Sequence, residues 1–304
     1  MQSTVKVSSY LVAVILVGAV LVPIKAVRGQ ATFYGLSDTA AQELVSFSYT
    51  GSEFPTLPLL SAHFITGLQA SEQLLKIKNG PTPGTFYALS TEDRLYSLTT
   101  GGAATEITQF SPLLNGTAAS FAVDPSSLVV TVVTNLGQEF QANMSGTLLT
   151  PVNTLSYTDT SLSGKPAIED IALSPGPNPL LYGLDGNHLD LVSIGVAGNP
   201  SSGGGKVQVV SSGAANSPTI GFDIASDGSG FYAQTSSGFA EFAPTFISRG
   251  GIFSNTGFQP DTVGAGSFAG DLATGVPLIS IAVPEPVEGM LAVVIVSLVV
   301  RRRR

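Results

Sequence analysis

The sequence has no cysteine and no tryptophan, and only 11% of its 304 residues are charged. Without cysteine there is no disulfide, no zinc–thiolate site and no thiol nucleophile. Export is still open to such a chain, because a large β domain buries enough core without covalent staples. Low charge with an ordinary apolar fraction also excludes general disorder, since disordered chains are usually charge-rich. Histidine is nearly absent too, with only His63 and His188. Positive charge is scarce in the body of the chain. Lys6, Lys25, Arg28 and Arg301 to Arg304 sit at the ends, leaving six basic against 19 acidic side chains between residues 31 and 282. A body near −13 excludes nucleic acid as a partner, because a phosphate backbone needs a cationic stripe.

What is present is glycine, 34 residues of it, together with many Ser, Thr and Val. This mixture fits an all-β protein with many tight turns. Two terminal segments stand apart from the body. Residues 1–30 read as a secretory signal: Lys6 gives a positive start, and Tyr10 to Val22 is an apolar run. That run is too short for a membrane span, which needs roughly 20 apolar residues. An uncleaved N-terminal anchor is the alternative. At the other end, Met290 to Val300 is apolar and meets four arginines. Arginines stay on the cytoplasmic side, which holds the body outside. As a helix, such a run covers only ~17 Å of a ~30 Å hydrocarbon core, so it suits a transient membrane contact better than a permanent anchor.

Val283-Pro284-Glu285-Pro286, the apolar run and Arg301, Arg302, Arg303 and Arg304 resemble the PEP-CTERM sorting signal of Gram-negative bacteria. The resemblance implies processing by an exosortase, a membrane-embedded cysteine transpeptidase-like enzyme. It also implies export to the cell envelope or extracellular matrix, often beside exopolysaccharide or biofilm. Pro284 and Pro286 fix an extended backbone that a protease can read. A tail anchor with a chance Pro-Glu-Pro remains the other reading.

The body repeats. Thr32-Phe-Tyr34-Gly-Leu36, Thr85-Phe-Tyr87-Ala-Leu89, Leu180-Leu-Tyr182-Gly-Leu184 and Gly230-Phe-Tyr232-Ala-Gln234 share one pattern. Their tyrosines lie 53, 95 and 50 residues apart, and Leu128 to Val133 supplies a degenerate copy in the long gap. Before each copy lies an alternating stretch: Leu74 to Ile77, Phe121 to Asp124, Ile168 to Leu173 and Phe222 to Asp227. After it lies another: Glu43 to Phe47, Arg94 to Leu98, Gln138 to Phe140, Leu189 to Ile194 and Phe239 to Phe242. Apolar residues at alternate positions predict strands, and Gly, Asn, Asp and Pro between them predict hairpins. Four strands per unit at a period near 50 predicts a β-propeller of about five four-stranded blades over residues 31–282. The first copy lacks its leading strand. Ser267 to Leu272 and Val276 to Ile281 are candidates to supply it from the far end, which would hide an edge. A small sixth unit within 250–282 is the alternative. The predicted organisation is a signal helix in 1–30, the repeat domain in 31–282, and a sorting signal with a short apolar helix in 283–304.

The stretches Leu74-Leu-Lys-Ile77, Thr85-Phe-Tyr-Ala-Leu-Ser90, Arg94-Leu-Tyr-Ser-Leu-Thr-Thr-Gly-Gly-Ala-Ala-Thr105 and Gly221-Phe-Asp-Ile224 are similar to the domain of unknown function 4394 family. This second resemblance implies a repeat fold in an exported protein and no particular reaction.

Reaction chemistry is thin. No Gly-x-Ser-x-Gly elbow, His-Glu-x-x-His or phosphate loop occurs. The Asp-box of sialidase propellers needs a tryptophan that the chain lacks. Asp124, Asp170, Asp223 and Asp271 recur at matching positions of the units. They fit turn caps accepting backbone N–H bonds. They also fit carboxylates converging on an axis to bind a cation such as Ca²⁺. A third use, paired-carboxylate catalysis, is weakened because Glu169 and Asp170 fall on opposite strand faces. Tyr34, Tyr87, Tyr182 and Tyr232 suit either sugar stacking or packing between units. His188 follows a hairpin turn and reads as a loop residue, and His63 as a strand-face residue. The expectation is therefore an exported, non-enzymatic matrix or envelope propeller without an obligatory cofactor. Its expected partners are an exosortase, the secretion machinery and exopolysaccharide. A secreted glycan hydrolase or lyase and a Ca²⁺-stabilised adhesion module are the alternatives.

Overall fold

A computed structural model describes residues 31–49, 59–111, 118–196, 204–212, 219–225, 228–235, 245–254, 257–260, 270–271 and 278–283. The signal segment and the tail beyond Val283 lie outside the described residues, as does the strand expected at Phe239 to Phe242.

Among the described residues, strands form where the period-2 pattern was found. In chain order they are β1 (Ala31–Ser37), β2 (Glu43–Tyr49), β3 (Leu59–Phe64), β4 (Leu74–Asn79), β5 (Thr85–Ser90), β6 (Arg94–Thr99), β7 (Ala104–Gln109), β8 (Ala118–Val123), β9 (Val129–Thr134), β10 (Gln138–Asn143) and β11 (Thr150–Thr154). Then follow β12 (Ser156–Tyr157), β13 (Ile168–Leu173), β14 (Leu180–Asp185), β15 (Asp190–Val196), β16 (Lys206–Ser211), β17 (Thr219–Ile224), β18 (Ser229–Thr235), β19 (Thr245–Ser254), β20 (Gly257–Pro260), β21 (Gly270–Asp271) and β22 (Leu278–Ala282). No helix occurs among the described residues, so none there is long and apolar enough to cross a membrane.

Four sheets are contiguous in sequence and make a propeller-like arrangement of four blades: β4–β7, β8–β11, β13–β16 and β17–β20. A further sheet is composite, in the order β22-β1-β2-β3. Its register pairs Tyr34 with Ala282 and Gly35 with Ile281. β22 therefore supplies the leading strand that the first copy lacks. The other candidate does not, because β21 pairs with β19. β19 and β20 belong to the sheet of β17, so 250–282 forms no separate sheet among the described residues. The leading strands touch in cyclic order: β4 with β8, β8 with β13, β13 with β17, β17 with β22, and β22 with β4.

Five apolar clusters lie between neighbouring sheets, and they explain the composition of the second strands. In β5, Phe86 and Ala88 face Leu36 and Leu44 of the composite sheet, while Tyr87 and Leu89 face Phe121 and Val130. Successive side chains alternate between two buried faces, so the strand reads as nearly continuous apolar sequence. Each fully buried Phe or Leu contributes roughly 1.5–3 kcal/mol. The clusters of Ile168, Leu181 and Val192, of Tyr182, Phe222 and Tyr232, and of Phe33, Phe231 and Ile281 repeat the scheme. Fourth strands such as β11 are largely exposed, which is why their sequence signal is weak.

Candidate functional site at the axis

The leading strands carry polar residues where a one-sided strand would carry none. Lys76, Ser120, Asp170 and Ser280 pair with Leu89, Val133, Leu184 and Leu36, the apolar position two residues beyond the repeat tyrosine or its equivalent. They occupy one level of four sheets, and all are buried. A buried polar layer stands only if it is satisfied internally.

Asp170 provides most of that satisfaction. Its carboxylate accepts from Lys78 Nζ at 2.8 Å and from Phe222 N at 2.7 Å. It also accepts from Ser120 Oγ and from its own neighbour, Ile171 N. Lys76 Nζ lies 3.7 Å away and donates to Ile279 O at 3.1 Å. One fully buried side chain thus joins β4, β8, β13 and β17. Burial alone would raise the Asp170 carboxyl, but Lys78 and Lys76 hold it below the usual carboxylate range. Burial pushes the Lys76 ammonium down.

Asp223 closes the circle at a neighbouring level. It accepts from Val283 N at 2.7 Å, from Asn79 Nδ2 at 3.2 Å and from Ile224 N at 3.0 Å. Asn79 Nδ2 also donates to Val283 O at 2.7 Å. β17, β22 and β4 are tied together there. Burial pushes the Asp223 carboxyl up to about 6, against the opposing pull of Lys78 and two backbone amides. Val283 is itself buried, so the packed body runs one residue past the expected boundary at 282.

The expected acidic column is not a column. Asp170 lies two residues before Ala172, the partner of Tyr182. Asp223 lies one residue after Phe222, the partner of Tyr232. Asp124 follows the end of β8 and caps its turn, accepting from Ser126 N at 3.0 Å and from Ser127 Oγ. Asp170 and Asp223 lie within electrostatic reach of each other and of Lys78, which bonds to Asp170 at 2.8 Å. Among the described residues no group of three or more His, Asp or Glu side chains is placed to hold a metal. Nothing is described of the Asp271 side chain.

A cavity of ≈ 320 Å³ opens where β4, β8, β13 and β17 end, with Lys78, Asn79, Tyr87 and Asp223 in its wall. Tyr87, Tyr182 and Tyr232 are otherwise buried between sheets. Two networks escaped the sequence reading. Glu72 accepts from Tyr96 Oη at 2.6 Å and from Ser90, and pairs with Arg94 at 3.3 Å. The Tyr96 phenol is pushed up to about 12 by burial and by Glu72. His188 is no free loop residue: its Nδ1 lies 2.8 Å from Tyr157 Oη and 3.2 Å from Asp185. Asp185 also accepts from Ala167 N and Asn187 N, so this group ties down a hairpin.

Interlocked, mostly antiparallel sheets around a buried polar layer define an all-β protein of propeller-like architecture. The family described as "Domain of unknown function (DUF4394)" matches residues 57–254, and the chain belongs to it. No curated protein matches the chain. Among solved structures, it is similar to a structural genomics protein of unknown function from Bacteroides thetaiotaomicron, with 14% identity and a TM-score of 0.48 over 73% of this chain and 58% of that one. It is also similar to YCF48 bound to D1 peptide, with 11% identity and a TM-score of 0.35 over 72% of this chain and 63% of that one. The chain thus spans about three fifths of each.

Proposed function

We propose that this is an exported, non-enzymatic propeller of five blades, closed by β22 and sorted through its Val283-Pro284-Glu285-Pro286 tail to the envelope or extracellular matrix. There it acts as a structural or binding module with polysaccharide as its contact. The observation carrying the non-enzymatic reading is the axis. The Asp170 carboxylate that a hydrolase would use is taken up by Lys78, Ser120 and backbone amides of two strands. The five-blade count is supported by the cyclic contacts of the leading strands. In this reading Lys78 does the work of a structural cation, and Ca²⁺ is dispensable. A second reading, a glycan hydrolase or lyase, is favoured by one feature, the near-neutral Asp223 carboxyl in the cavity wall.

The test is intact mass and location of the protein in its own host, with and without the exosortase. A mature form cut within the motif and found outside the cell supports sorting. Arg304 retained in a membrane fraction in both strains makes the tail an anchor and removes the support for a matrix role.

A further inference from the structure

We propose that the axial cavity binds a neutral, hydroxylated sugar ring, taken end-on at the terminus of a glycan. This rests on the polysaccharide contact proposed above and gives it an address.

Four features carry it. First, the wall holds polar groups that the fold leaves unused. The Tyr87 side chain has no hydrogen-bond partner among the described residues, although the ring is buried. Lys78 Nζ spends two N–H bonds, on Asp170 and on Phe222 O, and an ammonium has three. Asn79 spends both amide hydrogens, but its Oδ1 is buried without a partner. Such an orphan acceptor is costly.

Second, the rest of the wall is apolar and stiff. Leu128, Leu173 and four prolines, Pro81, Pro125, Pro175 and Pro179, line the mouth. Apolar surface with a few placed donors and acceptors matches a sugar ring, which offers C–H faces and hydroxyl edges. A rim fixed by proline loses little freedom on binding.

Third, charge selects a neutral ligand. Lys78 repels a cation, and its own charge is spent on Asp170 at 2.8 Å. Asp223 repels an anion once ionised.

Fourth, size and closure select an end. A volume of ≈ 320 Å³ is at the lower limit of small-molecule sites, ~300–1,000 Å³, enough for about one ring. Lys78, which lines the cavity, is itself buried against Asp170, so the cavity stops at that pair on this side.

The experiment is ligand-observed NMR and calorimetry on the purified full chain. The probes are methyl hexosides, glucuronic acid and glucosamine. At least one neutral hexoside is expected to bind saturably, about tenfold tighter than the charged sugars. Tyr87→Phe, which keeps the ring and removes the hydroxyl, is expected to weaken binding several-fold with little change in melting. Val123→Trp, which fills the cavity from a half-buried wall position, is expected to abolish it. Preference for a charged sugar, or binding unchanged in both variants, overturns the site. Binding of long polysaccharide with no monosaccharide binding overturns the site but leaves the scaffold reading standing. No binding of any glycan overturns both.

Discussion

Replacing Lys78 by methionine keeps the volume of the side chain and removes its charge. Lys78 is 5% exposed and Asp170 0% exposed, so the lost cation leaves a carboxylate stranded in a dry core. Breaking one partner of such a pair costs about 3–5 kcal/mol. At about 2–4 °C per kcal/mol for a domain of this size, the melting temperature falls by roughly 6–20 °C. The pH dependence is the sharper test. In the native protein Asp170 is held below its ordinary value. It therefore contributes stability above the unfolded pKa of about 3.9, lost as pH falls through the folded value. In Lys78→Met burial dominates, the carboxyl rises, and that contribution is absent. The gap between native and variant is then largest near neutral pH and closes in acid. Urea unfolding of both proteins at pH 7 and near pH 4 measures it. A gap below about 1 kcal/mol, or one of equal size at both pH values, would refute the claim that the axis is held by compensated charge.

Asp223 should titrate with a midpoint near 6 by carboxyl carbon NMR. A folded value above the unfolded one means that its proton stabilises the fold fully below about 3.9. That contribution, about 3 kcal/mol, is lost as pH rises through about 6; a midpoint under 4 would contradict the assignment. Gly221→Ala should destabilise by about 1–3 kcal/mol in urea titrations, because the new Cβ lands 2.7 Å from Ile281 N across the β17–β22 contact. Gly101→Ala, whose Cβ meets only Thr99 Oγ1 at 3.8 Å, is the control and should be nearly neutral. Equal losses in the two would mean that the β17–β22 contact carries little stability.

The architecture was legible because four of the five units repeat a tyrosine inside a second strand buried on both faces, and the fifth keeps the apolar pattern in β9. The copies at Tyr87, Tyr182 and Tyr232 fall in β5, β14 and β18. The return of the chain end to β1 was legible from a missing strand. The axis was not, and the reason is register. Sequence comparison followed the acidic residues, whereas the layer is set by pairing and mixes charge types. A column built two residues upstream of each tyrosine partner would have shown Lys76, Ser120, Asp170 and Ser280 together. The pairing of His188 with Tyr157 had no local signal, because the partners meet only after β12 lies parallel to β16.

The pairing of Tyr34 with Ala282 has a consequence in time. Its two strands are among the first and last of the body to be synthesised. While a chain is synthesised from its N-terminal end, β1 to β3 wait with an open edge until β22 arrives. The units in between close locally as they emerge, but the final circle depends on the sheet pairing most distant in sequence among the described residues. Folding of this kind is slow and exposes an unpaired edge to other chains. Because Asp223 and Asn79 both hold Val283, completion of the fold waits for the residue that directly precedes Pro284-Glu285-Pro286.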